Sequence, residues 1–322
     1  MNDDQRMLAD MADALFETLG PDATLPRDWP AIDEVALPGL LLSDTAGGFG
    51  GSWEDALIVF RLAGYHALAL PVAEAAIAAA LSGRAEGRGT IASAARGALV
   101  DGRFTGTITG ICHGDDAAYV VAPLPDGASV LIETAALTLE THASVAGEAR
   151  ERAQAQSAPA TRLEGDVFAL GALARVAQIA GALDAALART VDYANERLQF
   201  GRALGKFQAV QQNLATFACE AAAVNCAAMG AAQAMQRGSA PFEIAAAKLR
   251  ANRAVGIGTA LTHQVHGAIG FTEEYPLHPF TRRLWAWRSE FGNDQHWGDR
   301  LGAGVIARGA DHFWSDLTAL TD

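Results

Sequence analysis

The sequence predicts a mainly α protein with a small β domain, in the order N-terminal helical domain (residues 1–95), small β domain and connection (96–160), C-terminal helical bundle (161–322). Three observations predict it. Apolar residues recur with a period near 3.6 at both ends of the chain, short β-prone runs bounded by turn residues fill the middle, and several long amphipathic stripes follow one another after Asp166.

The opening helix is expected from about Met7 to Leu19, with Met7, Leu8, Met11, Leu15, Phe16 and Leu19 on one side and Gly20-Pro21 ending it. A connection carrying Pro26, Pro30 and Pro38 follows. Ala56 to Leu81 is a long Ala/Leu/Val run that Pro71 should break. The cluster Gly47-Gly-Phe-Gly-Gly51 could cradle phosphate, but no Lys-Ser/Thr follows it. A tight turn is the simpler reading, with Ser52 capping the next helix and Asp55 three residues on.

Phe104–Ile111, Ala118–Ala122, Ser129–Glu133 and Leu137–Glu140 are β-prone runs, separated by Gly114-Asp-Asp116 and Pro125-Asp-Gly127. They suggest an antiparallel β unit, with 147–159 as a polar, Ala-rich connection. Beyond it, Leu183, Leu187, Val191, Ala194 and Leu198 share one stripe, and Phe207, Val210, Leu214, Phe217, Ala221 and Val224 share another. Pro241 with Glu243 makes a favourable first turn for a third helix, which should run to about His266. Gly256 and Gly258 inside it suggest close helix–helix approach.

A formal charge of −13 argues against nucleic acid, which needs clustered cations, and Lys206 and Lys248 are the only lysines. No run of 18 strongly apolar residues suggests a membrane span. Met1–Arg6 is acidic and lacks a signal-peptide layout, and Cys112, Cys219 and Cys226 have no metal-ligand spacing. Reduced thiols in a cytoplasmic protein are therefore expected, with Cys219 and Cys226 buried on an apolar helix. His263 and His266 lie three apart, but no carboxylate set or HExxH pattern accompanies them, so no metal site is expected.

Arg197 stands at a helix end beside Gln199, Phe200 and Gly201. Taken alone, it reads as a helix C-terminal arginine facing the dipole, although a guanidinium can also grip a diphosphate oxygen bidentately. The stretch Tyr193-Ala-Asn-Glu-Arg-Leu-Gln-Phe-Gly-Arg-Ala-Leu-Gly-Lys-Phe-Gln208, followed by Gln264-Val-His-Gly-Ala-Ile-Gly-Phe-Thr-Glu-Glu-Tyr-Pro276, resembles the C-terminal domain of the acyl-CoA dehydrogenases. The resemblance implies an acyl-CoA dehydrogenase-like fold with a reduced middle domain. It also implies FAD as cofactor, acyl-CoA as substrate and an electron-transfer flavoprotein as acceptor. Arg197, Gln199, Phe200 and Gln208 would contact FAD, while Gln264 and Gly267 would reach the FAD of a neighbouring subunit. That arrangement implies a homo-oligomer, or a hetero-oligomer with a related subunit.

Dehydrogenation of an acyl thioester needs a base for the α proton while hydride passes to the flavin. In the family this is commonly a glutamate before a glycine, some fifteen residues beyond the Tyr-Pro. The matching pair here is Phe291-Gly292, with Glu290 one place earlier. The family's other base position falls near Gly171, and the arginine that follows it falls near Ala172, with Arg175 about one turn on. Three readings follow: Glu290 serves as base through a one-residue shift, Asp294 replaces it, or a related subunit supplies the base. Glu290 would otherwise pair with Arg288 or Arg282 as a surface ion pair. The resemblance thus implies an acyl-CoA dehydrogenase of fatty or steroid acyl groups, a subunit of one, or a non-catalytic partner that completes a related enzyme's flavin site.

Overall fold

The computed structural model describes residues 1–319; the last three positions assigned to the C-terminal bundle lie outside it. Helix α1 (Asp3–Leu19) starts on a capping box made by Asn2 and Gln5. Helix α2 (Trp29–Glu34) follows, and the glycine-rich turn leads into α3 (Trp53–Tyr65). There Ser52 and Asp55 form the anticipated reciprocal cap. Helix α4 (Val72–Ser82) begins after Pro71, as the missing N–H of proline requires.

Strands β1 (Gly89–Val100), β2 (Arg103–Cys112), β3 (Tyr119–Pro123), β4 (Ser129–Glu133), β5 (Thr138–Ala143) and β6 (Ala149–Leu163) form one sheet. Its order is β2-β1-β3-β4-β6-β5, and an added β2–β6 pairing closes β2, β1, β3, β4 and β6 into a ring. The β1–β3 pairing is parallel, which corrects the expectation of a purely antiparallel unit. The ring encloses Phe104, Ile108, Ile111, Val120, Val130 and Ile132.

The segment expected as a connection over 147–159 is mostly the long strand β6. Ala153, Ala155 and Ala158 point inward, and a positive-φ Ser157 shifts the register between them. Alanine has little β preference of its own, so this strand is imposed by its partners on both sides. Strand β1 was likewise concealed by its small residues.

Helix α5 (Val167–Glu196) is the spine, packed against α3, α6 (Gln208–Gln236), α7 (Pro241–His266) and α8 (His278–Ser289). Between α5 and α6 lies a small hairpin of β7 (Leu198–Gln199) and β8 (Arg202–Ala203). Helices α9 (Asp294–Arg308) and α10 (Phe313–Ala319) complete the described chain. The backbones of α3 and α5 touch: a Cβ on Gly181 would lie 1.8 Å from the Arg61 carbonyl oxygen, and one on Gly64 would lie 2.0 Å from that of Gln178. Gly258 meets the Phe217 ring as close helix packing requires, whereas Gly256 faces looser space.

Helices α5 and α6 are each long and apolar enough to cross a membrane by length and composition alone. In α5 the most apolar stretch is 78% buried, so its composition is that of a core helix; in α6 the figure is only 28%. This overturns the expectation for Cys219 and Cys226, which are exposed on the outer face of α6. An apolar helix does not bury its thiols when it is the outermost layer.

Candidate active site and flavin edge

The segments matched to the flavin contact come together through aromatic stacking. Tyr193, one turn before Arg197, stacks on His266 with ring centroids 4.5 Å apart, and its hydroxyl donates to the His266 carbonyl at 3.4 Å. This sets the end of α5 beside the end of α7, where Gln264 and Gly267 lie. The β7–β8 turn has positive φ at both Phe200 (52°) and Gly201 (82°), the backbone of a tight hairpin. It presents Phe200 at 90% exposure beside Leu198 at 67%.

Arg197, Gln199, Gln208, Gln264 and Gly267 are also exposed. The side chains of Arg197, Gln199, Gln208 and Gln264 form no hydrogen bond or ion pair with other described residues. A guanidinium and three carboxamides left open beside a protruding aromatic ring suit an anionic, planar ligand brought from outside the chain. Nearby, His266 Nε2 and His263 Nδ1 are buried without a partner. Among the described residues no cluster of His, Cys, Asp or Glu could hold a metal.

The base positions tell a different story. Phe291 is 1% exposed and faces Gly171 directly: a Cβ on Gly171 would lie 2.5 Å from the Phe291 ring. The two places from which family members are expected to project a carboxylate therefore press against each other, one an aromatic ring and the other bare backbone. Phe291 is held at φ 51°, an uncommon backbone for a bulky residue. Trp297 Nε1 donates to its carbonyl at 3.0 Å, and Lys248 Nζ, wholly buried, donates to the carbonyls of Trp287, Arg288 and Gly292 at 3.1 Å. Burial pushes the Lys248 ammonium down to about 7.

Glu290 is not a surface ion pair with Arg288 or Arg282, as sequence suggested, nor is it free to act as a base. Arg288 instead pairs with Asp294 at 2.9 Å, which also engages that alternative base, and Arg282 donates to the Val145 carbonyl. Glu290 accepts from Arg150 Nε at 2.9 Å and from Arg175 Nε at 2.7 Å, one arginine on each oxygen. Burial would raise its carboxyl, yet the two guanidinium groups outweigh that and hold it at about 2. A base at pH 7 gains little driving force from such a group.

The pairs extend into a buried network. Arg175, 1% exposed, also donates to Glu74 at 2.6 Å and to Gln178 at 2.5 Å; Arg150 and Arg283 share Glu148 at 3.0 and 2.8 Å. Three arginines thus meet three glutamates, so the cluster is neutral, and it ties α4, β6, α5 and α8 together. The cavity remaining beside it is about 10 Å3, room for one water and no acyl chain.

Sequence reading missed this network because its members are far apart along the chain. The available signal was a charge inside otherwise apolar helices: Glu74 within α4 and Arg175 on the buried face of α5. The sign of its pH dependence follows from Glu290. Its pKa lies below the ordinary 4.5 only when folded, so its contribution is complete above pH 4.5 and is lost as pH falls towards 2. The shift corresponds to about 3 kcal/mol. Thermal unfolding should show a fall in Tm over that window, and the fall should flatten in Glu290→Gln.

Comparison with known proteins agrees with this layout. Residues 163–305 match the family described as acyl-CoA dehydrogenase, C-terminal domain. Acyl-CoA dehydrogenase FadE34 of Mycobacterium tuberculosis is 30% identical over 310 residues, covering 89% of this chain and 43% of the relative, so the chain spans less than half its length. Acyl-CoA dehydrogenase IpdE2 of the same organism is 30% identical over 260 residues, covering 78% of this chain and 77% of the relative. The fold is that of a chain in the ChsE4-ChsE5 complex from Mycobacterium tuberculosis (TM-score 0.85, 20% identity, 94% and 97% of the two chains). It is equally that of a chain in the Tcur3481-Tcur3483 steroid ACAD (TM-score 0.86, 23% identity, 96% and 99%). Motif order, architecture and relatives converge: the chain belongs to the acyl-CoA dehydrogenase family.

Proposed function

We propose that this chain is the non-catalytic partner in a two-chain acyl-CoA dehydrogenase, where it completes the flavin site of a related subunit that carries the base. One observation carries the reading. The base positions are closed by Phe291 against Gly171, while the flavin-edge side chains remain open and exposed. A chain that had lost both roles would have no use for an unpaired Arg197 beside a protruding Phe200.

FAD, bound in the assembly, supplies the acceptor for the substrate's β hydride, and an electron-transfer flavoprotein would then reoxidise it. The residues of this chain fit the outer contact with such a group. Arg197 would neutralise a diphosphate oxygen; Gln199, Gln208 and Gln264 would donate or accept hydrogen bonds; Phe200 would cover a ring and exclude water. The residues around Glu290 do not fit the acyl thioester, because ion pairs fill that volume. The exposed outer face of α6, with Cys219, Cys226 and Met229, supports a subunit contact. A steroid-derived acyl thioester is the proposed substrate class, since ChsE4-ChsE5 is a two-chain complex and Tcur3481-Tcur3483 a steroid ACAD.

The test is to purify the chain alone and with a related subunit, then record the flavin spectrum and its bleaching by acyl-CoA. Flavin colour and bleaching are expected only in the complex. Arg197→Ala in this chain should weaken flavin retention by about 10- to 100-fold, the worth of one charge-assisted hydrogen bond, without dissociating the subunits. Bleaching by the chain alone would overturn the reading.

A further inference from the structure

A second polar cavity lies in the N-terminal domain and shares no lining residue with the flavin edge or the ion network. It measures about 410 Å3 and lies between α2, the 36–49 turn, α4 and the segment entering β1. That volume is in the range of sites for small organic ligands. Arg88 and Trp29 both line it, with the guanidinium carbon 5.1 Å from the indole ring centroid.

Both terminal nitrogens of Arg88 are buried, and neither has a hydrogen-bond partner. No carboxylate lies within ion-pair distance of it among the described residues. Such a group is costly, because a guanidinium removed from water loses its hydration whether or not anything replaces it. Burial lowers its pKa, opposed by the carboxylates of Asp116, Asp33, Glu74 and Glu151, none of which pairs with it.

Of the charged groups in the lining, Arg84 already pairs with Glu133 at 2.7 Å, and Asp33 forms no ion pair with Arg88. Arg88 is therefore the cation in this cavity with donors to spare. A two-oxygen acceptor would match its fork, and the Trp29 and Phe49 rings in the lining suit a compact planar or apolar body.

We propose that this cavity binds a small organic oxyanion, a carboxylate or phosphate ester, gripped by Arg88 and covered by Trp29. The site is independent of the flavin edge and uses none of its residues.

The full-length chain is titrated with benzoate or inorganic phosphate, replacing chloride at constant ionic strength, while its Tm is followed. A saturable rise of several degrees with either probe is expected, and Arg88→Met should abolish it while leaving the unliganded Tm unchanged or higher. A response to benzoate alone assigns a carboxylate ligand, and a response to phosphate alone a phosphate ester. No saturable rise with either probe, or the same rise in Arg88→Met, would overturn the proposal. Should Arg88→Met not fold, quenching of tryptophan fluorescence in the unsubstituted chain reads the same event. That quenching must saturate and must disappear in Trp29→Phe; its absence, or its survival in Trp29→Phe, overturns the site equally.

Discussion

Glu290→Gln is expected to destabilise the protein by about 3–5 kcal/mol, the cost of removing one partner from a buried ion pair. The substitution keeps shape and volume but leaves Arg150 and Arg175 facing each other across a neutral amide. Both are drawn to Glu290 at under 3 Å, and Arg175 is almost wholly buried, so neither can turn to water. For a chain of this size the loss amounts to a fall in Tm on the order of 10 °C. A catalytic base would behave in the opposite way: its amide would abolish turnover and leave Tm nearly unchanged. Chemical denaturation of the variant, together with bleaching of the two-chain complex, separates the cases. An unchanged Tm with lost bleaching would return Glu290 to catalysis.

Phe291→Ala should cost a comparable amount, about 3–5 kcal/mol, the range for truncating a buried aromatic ring. The ring fills the space before Gly171, lies edge-on to Phe168 at 6.1 Å and packs under the Arg175 guanidinium. Its removal leaves a void with backbone on one wall and ion pairs on another, neither free to collapse inward. Equilibrium unfolding in urea measures the effect, and a loss below about 1 kcal/mol would show that the ring does not seal the position. Flavin retention by the complex should be unaffected wherever the variant is folded, because Arg197 and Gln264 are held by the Tyr193–His266 stack.

Much of the helical framework was legible because it is written in apolar periodicity. The stripe of α1 (except Met7, which is exposed), the proline-opened start of α7 and the cap of α3 each rest on residues adjacent in sequence. Strands β2 to β5 were legible for the same reason, as runs of β-prone residues between turns. Strands β1 and β6 were not, since alanine, glycine and glutamine carry little local preference; closure of the ring decides them.

The site divides in the same way. Arg197, Phe200 and Gln264 stand in a recognisable order, and Phe291-Gly292 showed by counting that a carboxylate was missing. What replaced it was not visible. Glu74, Arg150, Arg175 and Glu290 come from four elements and acquire meaning only when packed. Cys219 and Cys226 were misplaced because periodicity shows which face of a helix is apolar, but not whether another layer covers it.

The contact between Phe291 and Gly171 also governs what this sequence can become. A carboxylate introduced at 291 alone would displace the ring from its seal and compete with Glu290 for Arg175. One introduced at 171 would collide with the ring. Relaxing the cluster first, by changing Arg175 or Glu290, strands charges before any chemistry is gained. Each single-step route to a carboxylate at either position therefore passes through a less stable intermediate. The arrangement acts as a mutational ratchet, in which the closed pair of positions is far easier to retain than to open.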